Sequence, residues 1–179
     1  MIPTRTILLP FLTVCCVGSF QVMFDSVGSC SSTGLFECNM RVRKLNRTTA
    51  ALVGNLSQTE DVGSNFKALI ELFHSPLGNN QFYRYPMKIG PIGTCAFLEK
   101  FWQDYYEYVV EYIPNVAKPG ECSLSARIYA INDWIMDARI LPPYVPTGLW
   151  RVIQVMWDNS TGQSFTMELI FKVYEDGYF

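Results

Sequence analysis

The sequence predicts a mainly β protein: an antiparallel β-sandwich or cup with one amphipathic helix inserted at about 95–113. Three observations carry this. Near the C-terminal end, Phe165, Met167, Leu169, Phe171 and Val173 alternate with Ser164, Thr166, Glu168 and Lys172, the period of a strand with one buried face. Between them, Phe97, Leu98, Phe101, Trp102, Tyr105, Tyr108, Val109 and Tyr112 fall on one helical stripe, with Glu99, Lys100, Gln103, Asp104, Glu107 and Glu111 opposite. Strand-like segments flank that one dominant helix on both sides, an arrangement that suggests two sheets packed together.

The elements follow in order. Residues 24–38 read as a strand, a Ser-Ser-Thr-Gly turn at 31–34 and the start of a second strand. Met40 and Val42 alternate with Arg41 and Arg43. The basic cluster of Arg41, Arg43, Lys44 and Arg47 fits either an anion site or the wet face of a strand. Residues 66–73 satisfy both periods: Phe66, Ala68, Ile70 and Leu72 as a strand, or Phe66, Leu69, Ile70 and Phe73 as a helix. Periodicity cannot separate the two over so short a run. His74-Ser75-Pro76-Leu77-Gly78-Asn79-Asn80 is a turn. The helix takes Thr94 as N-cap and stops at Pro114. Residues 127–135 alternate only partly, with Ile128, Ala130 and Trp134 in one register and Tyr129 and Ile131 in the other. A stiff Pro-rich loop, 141–148, leads into a strand at 149–157, a turn at 158–162 and the alternating last strand.

Composition narrows the class. The 179 residues are 49% hydrophobic, 15% aromatic and 17% charged, with a net charge of −2. Such a chain is too apolar to be disordered and is the size of a single domain. Its near-balanced charge gives no electrostatic reason to expect a nucleic-acid partner.

The first 19 residues read as a secretory signal peptide, so a single domain would span 20–179. Arg5 precedes an apolar run from Ile7 to Val17, and small Gly18 and Ser19 follow. The run is shorter than the roughly 20 apolar residues that cross a bilayer, and no later stretch is longer, so no transmembrane segment is expected. A secreted, extracellular chain would lose Cys15 and Cys16 with the signal. That leaves Cys30, Cys38, Cys95 and Cys122, an even number that suggests disulfides. Three pairings are possible. We favour Cys30 with Cys38 and Cys95 with Cys122, because each pair flanks one local unit. Loop-closure entropy gives about 2.5 kcal/mol for the shorter loop and about 3.5 for the longer. Three sequons, at Asn46, Asn55 and Asn159, are candidate glycosylation sites.

Catalytic and metal signatures are scarce. One histidine, His74, and no close cysteine pair argue against a metal site. No G-x-S-x-G, H-E-x-x-H, P-loop or dinucleotide motif is present. Carboxylate pairs such as Asp133 and Asp137 are expected by chance among sixteen acids. The expectation is a protein that is not an enzyme and needs no cofactor.

The aromatics suggest binding instead. Two splayed sheets could enclose an apolar cavity, where a guest of about sixteen carbons could gain on the order of 10 kcal/mol before ordering costs. Phe97, Phe101, Trp102, Tyr105, Trp134, Trp150, Phe165, Leu169 and Phe171 are the candidate ligand-binding wall. The alternative is a filled core, with exposed rings docking a receptor or channel ectodomain on a sensory cell.

A set of residues spread over the domain carries a resemblance. It comprises Cys30 and Cys38, Asn46-Arg47-Thr48-Thr49, Gly54, Cys95-Ala96-Phe97-Leu98, Cys122 and Tyr129-Ala130-Ile131-Asn132. The most specific piece is Leu141-Pro142-Pro143-Tyr144-Val145-Pro146-Thr147-Gly148-Leu149-Trp150-Arg151. In order and spacing these resemble the insect chemosensory B family of secreted proteins and a related insect family of unknown function. Both are similar to the ganglioside activator and the ML lipid-recognition fold. One departure is Ser123, where relatives often have Pro. The resemblance implies an ML-like, immunoglobulin-like sandwich cup with an apolar interior for a lipid or other hydrophobic small molecule. It also implies an extracellular role in chemosensation, such as pheromone or gustatory perception, and it reads 66–73 as a strand. It brings no catalytic residues.

Overall fold

The computed structural model describes residues 20–175; the signal peptide expected at 1–19 lies outside them. Two antiparallel sheets stack around a shared apolar core. One has five strands in the order β1 (Phe20–Ser32), β8 (Ser164–Glu175), β7 (Gly148–Trp157), β4 (Lys67–Ser75) and β5 (Tyr83–Gly93). The other has three, in the order β2 (Phe36–Lys44), β3 (Ala50–Gln58) and β6 (Arg127–Ile135). The fold is therefore the expected antiparallel sandwich. The ambiguous run at 66–73 is strand for nearly all its length, because β4 is an interior strand hydrogen-bonded to β5 and β7.

The first two strands belong to different sheets. β1 pairs with β8 and β2 with β3, so the turn after Ser32 is a corner between layers. Thr33 N–H donates to Ser164 O at 3.0 Å and Thr59 N–H to Leu35 O at 3.1 Å, tying the corner to both layers. Cys30 is bonded to Cys38 across it, and Cys95 to Cys122. Both disulfides match the favoured pairing, and the first links the two sheets covalently.

The helical region differs from the single rod expected. It is two pieces, α1 (Thr94–Lys100) and α2 (Gln103–Val110). Trp102 N–H donates to Phe97 O, five residues back, at 3.2 Å. That wider turn adds a residue and rotates the later stripe relative to the earlier one. Phe101 is turned out to 36% exposure while Phe97 and Trp102 stay packed on the core. Thr94 is not the N-cap. Gly93 holds that position, and Thr94 is the first helical residue, its N–H and Oγ1 both directed to Phe66 O at 2.9 and 3.1 Å.

The partial alternation of 127–135 also has a local cause. Tyr129 and Ile131 point inward, and an extra residue in β6 shifts the register opposite Leu52 and Gly54, with Asp133 at φ 50°. The bulge returns Trp134 to the core side. Ile128 stays outside at 61% exposure.

The main core combines Phe24, Met156 and Phe165 from the large sheet, Phe36, Leu52, Tyr129 and Ile131 from the small one, and Leu98, Val109 and Ile113 from the helical region. Burying each such side chain contributes about 1.5–3 kcal/mol. A second cluster holds Val22, Trp150, Phe171 and Val173, flanked by Tyr85, Leu141 and Val145. The Pro-rich loop serves this cluster: Trp150 Nε1 donates to Pro146 O at 2.9 Å. Gly148 ends the loop at φ +127°, and a Cβ there would meet Ser75 O at 2.5 Å, so glycine is required at that close approach.

Candidate functional site

Between the sheets and the helical region lies an apolar cavity of about 250 Å³. The large sheet supplies Ile70, Gln154, Met156, Phe165, Met167 and Leu169. The small sheet supplies Phe36, Met40, Leu52, Leu56, Tyr129, Ile131 and Trp134. Phe97, Leu98, Trp102, Ile113, Val116 and Ala117 close a side, with Thr94 and Leu124.

Of the aromatic wall read from the sequence, Phe97, Trp102, Trp134, Phe165 and Leu169 meet at this cavity. The other four lie elsewhere. Phe101 is turned to solvent by the wide turn, and Tyr105, one turn into α2, is half-buried but off the wall. Trp150 and Phe171 share the inner face of β7 and β8 but sit past the end of the cavity. Their rings stack at 6.5 Å, and His74 lies over Trp150 at 4.5 Å. The aliphatic and thioether part of the wall lies outside the set of residues expected to bind: Met40, Leu52, Leu56, Ile70, Met156 and Met167. Met40, Ile70 and Met167 each fall on the apolar side of a strand alternation in the sequence, whereas Leu52, Leu56 and Met156 stand in runs with no alternation that sets one face apart.

Most polar atoms on the wall are satisfied. Trp102 Nε1 donates to Ala117 O at 2.6 Å. Tyr129 Oη donates to Gln58 Oε1 at 2.8 Å, and Gln58 Nε2 donates to Leu124 O and Glu60 O, each at 2.8 Å. Burial pushes the Tyr129 phenol above its ordinary value, so it stays neutral at physiological pH. Two polar groups differ. Gln154 brings the one carboxamide among the lining residues, and Trp134 Nε1 is buried without a hydrogen-bond partner. No Asp, Glu, Lys, Arg or His lines the cavity.

The histidine and the two carboxylates noted in the sequence each have a partner. His74 Nε2 lies 2.9 Å from Thr147 O. Asp133 pairs with Arg43, and Asp137 with Arg139 at 2.6 Å. Among the described residues no cluster of His, Cys, Asp and Glu could hold a metal, and no helix is long and apolar enough to cross a membrane. The basic residues Arg41, Arg43, Lys44 and Arg47 are all exposed on β2 and the turn after it.

The three sequons fall in different settings. Asn46 is exposed in the β2–β3 turn, its Oδ1 accepting from Thr48 N–H at 2.8 Å and Thr48 Oγ1 at 3.0 Å. Asn159 is exposed in the β7–β8 turn, and Asn55 is half-buried within β3. No protein-family model matches the chain, and no curated protein matches it in sequence.

Proposed function

We propose that the protein is a secreted, non-enzymatic binding protein for a hydrophobic small molecule, acting outside the cell in chemosensation. The observation that carries this reading is the apolar cavity of about 250 Å³ between the sheets. Well-packed interiors keep few voids larger than a water molecule. This volume exceeds the roughly 150 Å³ of an apolar cavity that binds benzene, and approaches the roughly 300 Å³ at which drug-sized pockets begin. It supports a compact guest better than a sixteen-carbon chain. A guest of about ten carbons would gain roughly 8 kcal/mol by leaving water, before the cost of ordering. The signal-like start, the two disulfides and the resemblance to the chemosensory B and ML lipid-recognition proteins support export and an apolar guest.

The test is titration of the secreted, delipidated protein with the fluorescent apolar probe N-phenyl-naphthylamine, followed by displacement with ten-carbon competitors. Saturable, displaceable binding is expected. Failure to saturate at high micromolar probe would remove the reading.

The second reading is docking on a receptor or channel ectodomain. It rests on Tyr144, 93% exposed in the Pro-rich loop, and Tyr83, 66% exposed at the start of β5. Organic extraction of the native secreted protein separates the two: a stoichiometric co-purified small molecule supports the carrier, and its absence supports docking.

A further inference from the structure

Trp134 gives the cavity a chemical preference. Its ring packs edge-on against Phe24 at 5.2 Å and lines the cavity, yet its Nε1 is buried with no acceptor. Trp102 and Trp150, by contrast, donate to Ala117 O and Pro146 O. Native proteins leave few buried donors unpaired, and each such exception asks for an explanation. The wall also lacks any fixed charge, so a buried carboxylate or ammonium on a guest would stay uncompensated.

We propose that the cavity selects a compact, uncharged guest bearing one carbonyl-type oxygen, and that this oxygen accepts the hydrogen bond of Trp134 Nε1. The inference rests on the binding reading above and narrows it to neutral oxygenated molecules, such as ketones, esters or aldehydes. The apolar wall supplies the affinity, and the indole N–H selects the oxygen. Gln154, the other free-standing polar choice on the wall, is on β7 in the opposite sheet, so the two groups would hold a guest from both layers.

The experiment uses the full secreted protein and three matched competitors, butylbenzene, butyrophenone and phenylbutyrate, against N-phenyl-naphthylamine at neutral pH. Trp134→Phe removes the donor and keeps most of the ring. It is expected to weaken butyrophenone about tenfold while leaving butylbenzene within about twofold. Phenylbutyrate is expected to be the weakest of the three on the natural protein. Equal losses for hydrocarbon and ketone, no loss for either, or tightest binding by phenylbutyrate would overturn the proposal. A readout on the unsubstituted protein stands beside this. The indole N–H proton resonance of Trp134 should move downfield on adding butyrophenone and stay in place with butylbenzene. A resonance unmoved by bound ketone, as when a trapped water already serves the donor, would overturn the proposal while leaving the binding reading intact. Failure of all three compounds and of the probe would overturn the binding reading itself.

Discussion

The indole N–H of Trp102 donates to the carbonyl of Ala117 at 2.6 Å. This bond joins the wide turn between α1 and α2 to the segment that follows them, and its ring forms part of the cavity wall. Trp102→Phe should cost about 1–3 kcal/mol, since it strands a carbonyl and loses a little ring surface. Trp102→Ala should cost roughly 3–5 kcal/mol. Urea denaturation of both variants checks the order. If the cavity holds a guest, the alanine variant should lose more affinity for the probe than stability.

Filling the cavity separates binding from folding. Leu169 is on β8 at the wall, and Leu169→Trp would place a larger ring in the space. Overpacking of this kind costs about 1–3 kcal/mol. The variant should therefore keep the far-ultraviolet circular dichroism of a β protein while losing at least about tenfold in probe affinity. Retained affinity would argue that guests bind elsewhere.

The two disulfides should contribute unequally. Cys30 and Cys38 are 8 residues apart, and Cys95 and Cys122 are 27 apart. Replacing both partners by Ser should cost about 2.5 kcal/mol in the first case and about 3.5 in the second. Chemical denaturation of the two double variants provides the comparison. The Cys30–Cys38 variant should also bind apolar dyes more readily, because it removes the disulfide that ties the two sheets.

Acid should weaken the β7–β8 turn. Asp158 is buried, and its carboxyl is held down to about 2, chiefly by the Ser160 backbone N–H and also by the Ser160 and Thr161 hydroxyls and Asn65 Nδ2, with burial opposing. In the unfolded chain the group titrates near 3.8. The folded state thus binds this proton less readily, so the stabilisation is complete above about pH 4 and is lost as pH falls toward 2. Asp158→Asn should be less stable at neutral pH and show a shallower decline between about pH 4 and 2. Urea midpoints across that range test the sign.

How far these features could be read in advance depends on how local their causes are. The β8 alternation from Phe165 to Val173 is visible because one strand has one inner face from end to end. Which part of that face meets a cavity is not visible. Leu169 and Phe171 are two residues apart, yet one lines the void and the other is packed under Trp150. The difference is set by where the 141–148 loop lands, a contact between distant parts of the chain. Phe101 left the expected stripe where the helix breaks after Lys100, a break marked by the bonds of both Phe101 and Trp102 N–H to Phe97 O, which no hydropathy period reports. The disulfide pairing was legible since both loops are short. That Cys30 and Cys38 lie in different layers was not, because a strand–turn–strand pattern looks alike whether it closes a hairpin or turns a corner.

The two short helices are fastened very differently. α1 is anchored at its first residues by Cys95–Cys122 and by Thr94 on Phe66 O, and it buries Thr94 and Leu98. α2 buries Val109 alone of its eight residues. Native-state amide exchange should therefore record a sub-global opening in which α2 peels away while α1 and both sheets stay protected. Such an opening would uncover Val109 of the core without the two layers parting.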